Sequence, residues 1–288
     1  MTKGPRRKVK SQRWRIYVDE NLRIGIVARL EIPGALKLVR KVIGLLSTEE
    51  ILLEREVAKK LGKPLGTVRA LRKANAIVTV GGDGTVLFAQ RLAPEVPILG
   101  VNLGEKGFLA DVKPNKVEQA LVKLKAGKLR PVERDRLAGT AHGKLLPDAL
   151  NDVVVCSANA GKTLAVKVAV DGEMAMNVRG DGVIVATPTG STAYARAAGG
   201  PVVDPRLKAI LVVPICPSYP RLAPLIVPMD SHIEIEPTRP GRDAQVIVDG
   251  VQATKLKCGE KVMLSRSDNP ALFFRWCEFY RKAREKLQ

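Results

Sequence analysis

Five consecutive residues, Gly81-Gly82-Asp83-Gly84-Thr85, combine a flexible backbone with a carboxylate at a point where the chain turns. They follow the apolar run Ala76 to Val80 and precede the apolar segment Val86 to Leu92, the pattern of a buried strand handing over to a helix. Glycines there let the backbone come close to a ligand, and the N–H groups of the first helical turn, at the positive end of the helix dipole, attract phosphate. A carboxylate in such a turn repels phosphate unless it takes a proton from a nucleophile or helps hold a metal that offsets the charge. Asp83 is therefore the candidate catalytic residue, with Gly81, Gly82, Gly84 and Thr85 shaping a phosphate turn. An Asp-Gly hairpin is excluded because a helix follows.

Three further groups carry polar chemistry. Asn151-Asp152 pairs an amide, which gives and takes hydrogen bonds, with a carboxylate that accepts them, a combination suited to hydroxyl groups; the local alternative is a turn entering Val153 to Val155. Arg179-Gly180-Asp181-Gly182 places a cation and an anion on either side of a glycine, and a turn between strands explains it equally well. Asp249-Gly250 has the weakest claim, because a hairpin accounts for it fully.

These residues need a scaffold. From Leu22 to Asn102, the all-apolar runs Arg23 to Ala28, Ala76 to Val80 and Ile98 to Asn102 alternate with helical segments, the signature of a parallel sheet covered on both faces. Ile51 to Leu61 reads as a helix, with Ser47 and Glu50 as a capping box, or as a short strand leading into one. Asn115 to Ala126 is a helix stopped by Gly127. Beyond Gly127 the period becomes two. Leu164, Val166, Val168 and Val170 alternate into Asp171-Gly172, a hairpin signal, and five further strand candidates follow, with one helix after Thr189-Gly190. In the tail, Leu272, Trp276, Phe279, Ala283 and Leu287 fall at helical spacing. The expected organisation is a basic arm (1–20), an α/β domain with a parallel sheet (21–127), a larger β-rich, sandwich-like domain (128–268) and a C-terminal helix (269–288).

Composition narrows the class. The 288 residues, 45% apolar with 25 Gly and 19 Pro, can bury a substantial core, which excludes disorder and collagen-like repeats. The net charge of +19 invites nucleic acid, but seven Lys and Arg residues lie in the first fifteen positions and the rest are interspersed with acids, the pattern of a solvated surface. Nucleic acid is thus a disfavoured partner. Four scattered cysteines and two histidines make no zinc pattern, so no metal ligand is assigned, and the thiols fit a reducing cytoplasm. The most apolar stretch, Ala209 to Pro228, is broken by prolines and Arg221 and does not read as a membrane span.

GGDGT resembles the signature of the superfamily containing NAD kinases, 6-phosphofructokinases and diacylglycerol or sphingosine kinases. Further motifs in the same order make the chain similar to NAD kinases from about residue 22 to 265: Asn102-Leu103-Gly104 with Gly107-Phe108-Leu109, then Ala149-Leu150-Asn151-Asp152, Asp181-Gly182 leading into Thr187-Pro188-Thr189-Gly190-Ser191-Thr192-Ala193-Tyr194, Gly199-Gly200-Pro201, Pro214-Ile215-Cys216-Pro217 and Asp249-Gly250. The resemblance implies transfer of the γ-phosphoryl group of ATP, or of polyphosphate, to the 2′-hydroxyl of the adenosine ribose of NAD, with Mg²⁺ or another divalent cation. It gives Asp83 the role of general base or hydroxyl-orienting carboxylate, Asn151 and Asp152 the ribose hydroxyls, and Thr192, Ala193 and Tyr194 the adenine. Asp181 would meet the nicotinamide end, and Arg179 would lie near the phosphates, acting across a subunit boundary. A homo-oligomer, dimer or tetramer, and a final helix packed on the first domain are also implied. Ala197 stands where relatives carry Ser, which removes one polar contact to the nucleotide. The alternatives are a lipid or sugar kinase of the same superfamily and a basic nucleic-acid-binding protein.

Overall fold

In the computed structural model, which describes residues 22–46, 49–64, 67–104, 107–159, 161–218 and 222–287, the chain forms two units. One comprises Met1–Pro131 with Phe274–Cys277, the other Val132–Phe273 with Glu278–Gln288. The basic arm and Ser47 lie outside the described residues.

The first unit runs β1 (Arg23–Ala28), α1 (Ala35–Leu45), β2 (Glu50–Leu53), α2 (Arg55–Leu61), α3 (Val68–Leu71), β3 (Ala76–Gly81), α4 (Asp83–Leu92), β4 (Ile98–Asn102) and α5 (Val117–Lys125). Its strands are parallel in the order β2-β1-β3-β4. All six residues of β3 are buried, which explains the unbroken apolar run: with both faces covered there is no solvent side to alternate toward. Each buried Val or Ile there contributes roughly 1.5–3 kcal/mol. Helix α1 covers the sheet through Ala35, Leu38, Val39 and Val42, and α5 through Val117, Ala120, Leu121 and Leu124, both spaced three or four apart. The ambiguous stretch Ile51 to Leu61 contains both elements, strand β2 and then α2, whose N-terminus is capped by the Glu54 carboxylate accepting from the amides of Glu56 and Val57.

The second unit continues with β5 (Pro131–Arg134), β6 (Leu137–Ala141), β7 (Lys144–Leu145), β8 (Asp152–Ser157), β9 (Leu164–Val170), β10 (Glu173–Gly180), β11 (Gly182–Ala186), α6 (Tyr194–Ala197), β12 (Ala209–Ile215), β13 (Leu225–Pro228), β14 (Ile233–Pro237), β15 (Ala244–Val248), β16 (Val251–Leu256), β17 (Val262–Arg266), β18 (Ala271–Phe274) and α7 (Phe279–Leu287). Two six-stranded antiparallel sheets, β10-β9-β14-β17-β6-β7 and β13-β12-β11-β8-β15-β16, enclose a core in which Val166, Val168, Ile233 and Ile235 of one meet Val153, Val155, Val183, Val185 and Val246 of the other. The opposite face of β8, β11 and β12 is apolar too, with Val154, Ile184, Leu211 and Val213 packing with Ala195 of α6. That second covered face is why these strands read as continuous apolar runs. Asp171 and Gly172, at φ 52° and 86°, form the expected hairpin between β9 and β10.

The tail departs from expectation. The helix predicted over 269–288 is confined to Phe279–Leu287, because Leu272-Phe273-Phe274 are large β-formers taken up in a strand. The part of the tail in the first unit is Phe274–Cys277, with Phe274 buried in that unit's core and Trp276 packed beside it under the Lys123 ammonium. The helix itself groups with the second unit, where the Arg206 guanidinium lies 6.0 Å from the ring of Tyr280.

Candidate active site

The Gly81–Thr85 turn joins a buried strand to a helix as the sequence suggests, but its carboxylate is engaged. Strand β3 ends at Gly81, Gly82 precedes α4, and Asp83 opens the helix, where a negative side chain suits the dipole. The Asp83 carboxylate accepts three hydrogen bonds from successive backbone amides, Phe108 N at 2.7 Å and Leu109 N and Ala110 N at 2.9 Å each. The segment supplying these amides lies flat on β4 because two glycines leave room: a Cβ on Gly100 would be 2.7 Å from the Ala110 Cα, and one on Gly107 2.9 Å from the Ala110 carbonyl oxygen. This gives Asn102-Leu103-Gly104 and Gly107-Phe108-Leu109 their physical reason. Leu103 N also donates to the Gly81 carbonyl and Gly104 N to the Asn102 side chain. A Cβ on Gly81 would collide with the buried Thr85 hydroxyl.

Two residues that the motif reading passed over hold the same loop. Asp111, almost fully buried, accepts from the amides of Trp276 and Cys277 and pairs with the Arg275 guanidinium at 3.4 Å. Arg275 also donates to the Phe108 carbonyl. An acid followed far downstream by an Arg-Trp-Cys segment carries no local signal, so sequence periodicity could not pair them.

In the second unit the structure brings Asn151, Asp152, the Thr187–Gly190 turn, Asp181 and Tyr194 together. Asn151 and Asp152 are both buried, and among the described residues neither side chain has a hydrogen-bond partner. Burial and, next, the neighbouring Asp249 push the Asp152 carboxyl up to about 7. Their main chain is fixed from both sides. Asp249 accepts from the amides of Leu150 at 2.8 Å, Asn151 at 2.8 Å and Asp152 at 3.1 Å. Thr187 donates its hydroxyl to the Leu150 carbonyl at 2.6 Å and its amide to the Asn151 carbonyl at 2.9 Å.

Gly190 then lies directly on Asn151, where a Cβ would collide with the Asn151 carbonyl oxygen. Gly190→Ala is expected to cost about 1–3 kcal/mol by overpacking and to weaken binding of the site's ligand. Gly44→Ala, in α1 with nothing within 4 Å, should instead stabilise by about 0.5–1 kcal/mol. Thermal melts of the two variants decide this, and equal effects of one sign would refute the tight-contact argument.

The remaining candidates follow. Ser191 ties the turn to Val203, accepting from its amide at 3.0 Å while its hydroxyl donates to the Pro188 carbonyl at 2.7 Å, and Gly190–Thr192 forms one 3₁₀ turn before α6. Tyr194 is 46% exposed, and partial burial of its phenol, with Cys156, Cys216, Asp181 and Asp152 as electrostatic neighbours, raises its pKa. Thr192 and Ala193 are half-buried beside it. Arg179 and Asp181 are exposed, and they flank no ordinary turn: β10 and β11 belong to different sheets, so Arg179–Gly182 is the corner where the chain changes sheet. A Cβ on Gly180 would be 2.6 Å from the Cys216 carbonyl oxygen.

Residues 24–129 match the ATP-NAD kinase N-terminal domain family and residues 150–276 the ATP-NAD kinase C-terminal domain family. The chain is 39% identical over 275 residues to the NAD kinase of Methanothermobacter thermautotrophicus, covering 92% of this chain and 96% of that one. It is 39% identical over 263 residues to the NAD kinase of Thermococcus sibiricus, covering 89% and 95%. Among solved structures it resembles an NAD kinase from Archaeoglobus fulgidus in complex with ATP, with a TM-score of 0.75 and 30% identity over 92% of this chain and 99% of that one. Yeast NADH kinase complexed with NADH shares the fold at a TM-score of 0.85 and 24% identity, over 93% and 88%. With a glycine-rich strand-to-helix turn, a buried Asn-Asp pair and both domain families matched in order, the chain belongs to the NAD kinase family.

Proposed function

We propose that this protein transfers the γ-phosphoryl group of ATP to the 2′-hydroxyl of the adenosine ribose of NAD, giving NADP. The carrying observation is the Asn151-Asp152 pair, buried with no partner of its own beside Tyr194 in a chain matched by both NAD kinase domain families. An amide and a carboxylate side by side can give and take the hydrogen bonds that ribose hydroxyls offer. Thr192, Ala193 and the face of Tyr194 take the adenine, Asp181 meets the nicotinamide end, and Arg179 serves the phosphates. The solved relatives bound to ATP and to NADH support nucleotide substrates over the lipid, sugar or nucleic-acid alternatives.

At the phosphate turn, Gly81, Gly82, Gly84 and Thr85 present backbone N–H groups to the donor. Asp83 has three of its roughly four lone-pair positions occupied by amides, which favours orienting the acceptor hydroxyl over deprotonating it outright. Phosphoryl transfer through a loose transition state depends chiefly on such positioning. Mg²⁺ would enter bound to the ATP phosphates. When bound, the ion would supply charge neutralisation at the transferring group.

The four cysteines form no disulfide with one another, which supports a cytoplasmic location, and no helix among the described residues is long and apolar enough to cross a membrane. The eight-residue sheet edge β10, with Glu173, Met174 and Ala175 exposed, supports a homo-oligomer. Purified protein given ATP, Mg²⁺ and NAD should form NADP, with NADH and polyphosphate as parallel acceptor and donor arms. Phosphorylation of a diacylglycerol or sugar phosphate in place of NAD would overturn the reading.

A further inference from the structure

The Asp249-Gly250 pair makes a hairpin, with φ 45° and 79° between β15 and β16, yet the turn does not explain the aspartate. Asn-Gly forms that turn as well, and the equivalent turn at Asp171-Gly172 lies at an exposed position, where Asp171 accepts from the His232 amide and from the Ser231 side chain. Asp249 uses both oxygens: Oδ2 takes the Leu150 amide, and Oδ1 takes those of Asn151 and Asp152. An asparagine has one acceptor oxygen, so a carboxylate alone satisfies all three amides in this geometry. Thr187 and Gly190 fix the carbonyl side of the same peptide units. The two side chains that follow, Asn151 and Asp152, therefore have little freedom to reorient when a ligand arrives.

We infer that Asp249 is a positioning residue of the acceptor site, holding the Leu150–Asp152 backbone with its carboxylate so that Asn151 and Asp152 face the ribose. The inference rests on the reading that Asn151 and Asp152 hold NAD. Around Asp152 the titratable groups are Asp249 on the β15–β16 turn, Tyr194 on α6, Asp181 at the sheet corner, and Cys156 and Cys216 near the Tyr194 phenol. Asp249 is the charge that acts on Asp152 most, and it acts in the same direction as burial, toward the protonated form. An ionised carboxylate accepts from a hydroxyl more strongly than the protonated acid does, so NAD binding weakens as the pH falls through the neutral range, and removing the Asp249 charge should shift that weakening to lower pH.

The test is the pH profile of kcat/KM for NAD in wild type and Asp249→Asn at saturating ATP. The expected result is an acid limb near neutral pH in wild type that moves about one pH unit lower in Asp249→Asn, together with a roughly tenfold higher KM for NAD, while kcat changes less. Asp249→Glu, which keeps the charge, should leave the limb near its wild-type position. A purely architectural Asp249 would raise KM and leave the limb unmoved, and that outcome overturns the inference. Carboxyl NMR titration of wild-type protein covers the case in which Asp249→Asn does not fold. There Asp152 and Asp249 should titrate as a coupled pair, and independent single-step curves would likewise overturn it. If Asp152→Asn leaves the wild-type acid limb in place, the NAD-site reading fails instead, and the coupled titration still judges Asp249.

Discussion

Asp152→Asn is expected to stabilise the nucleotide-free protein at about pH 8 and to weaken its binding of NAD at the same pH. The Asp152 carboxyl is raised from 3.8 to about 7, so the folded chain holds this proton more tightly than the unfolded one. Stability therefore falls as pH rises between those values; the penalty is absent below about pH 4 and fully developed above about pH 7. At about 1.4 kcal/mol per pH unit, the cost of the buried charge is on the order of 4 kcal/mol. Asparagine is nearly isosteric with the protonated acid and removes that cost. Melts should show a gain at about pH 8 and none at about pH 4, while calorimetry with NAD should show affinity lower by about tenfold to a hundredfold, the worth of a hydrogen bond to a charged group. Lower stability at pH 8 would mean that the carboxylate already has a favourable partner in the free protein.

Asp83→Asn should lower turnover by about a hundredfold to ten-thousandfold while NAD still binds. The second-unit residues proposed for the ribose and adenine are untouched by the change. The phosphate turn is not: the new amide turns an NH₂ toward one of the N–H groups of Phe108, Leu109 or Ala110, and donor against donor costs about 1–3 kcal/mol. Single-turnover kinetics with ATP and NAD, read beside an NAD titration and a melt, separate the two consequences. Near wild-type turnover with a lowered melting temperature would make Asp83 a latch for the loop and no part of the chemistry.

What was legible in the sequence follows from how local each signal is. The parallel strands Arg23–Ala28, Ala76–Gly81 and Ile98–Asn102 fall on their apolar runs because a strand buried on both faces has no polar positions to blur its ends. The Asp171-Gly172 hairpin needs only two residues and their neighbours, and the phosphate turn only a strand, two glycines and a helix start. The tail misled because Leu272, Trp276 and Phe279 fit helical spacing while Leu272-Phe273-Phe274 fit a strand equally well, and tertiary partners decided. What remained hidden is long-range. The amides that Asp83 accepts lie 25 to 27 residues away, and those of Asp249 lie 97 to 99 residues away. Bonds to main-chain amides are nearly blind to the identity of the donor residue, so they leave little trace in a sequence pattern. Asp249 was accordingly explained by its own turn, and its second use was invisible.

The three-amide clasps of Asp83 and Asp249 also limit what can be transplanted. A five-residue turn cut from this chain and placed between a strand and a helix of another protein would arrive with an unsatisfied carboxylate, because its counterpart is the bare backbone of 108–110 rather than any side chain that could be carried along. The same holds for Asn151-Asp152 without the 249–250 hairpin. The smallest exchangeable module is in each case the pair of segments, and chimaeras between relatives should keep both segments of a clasp from one parent.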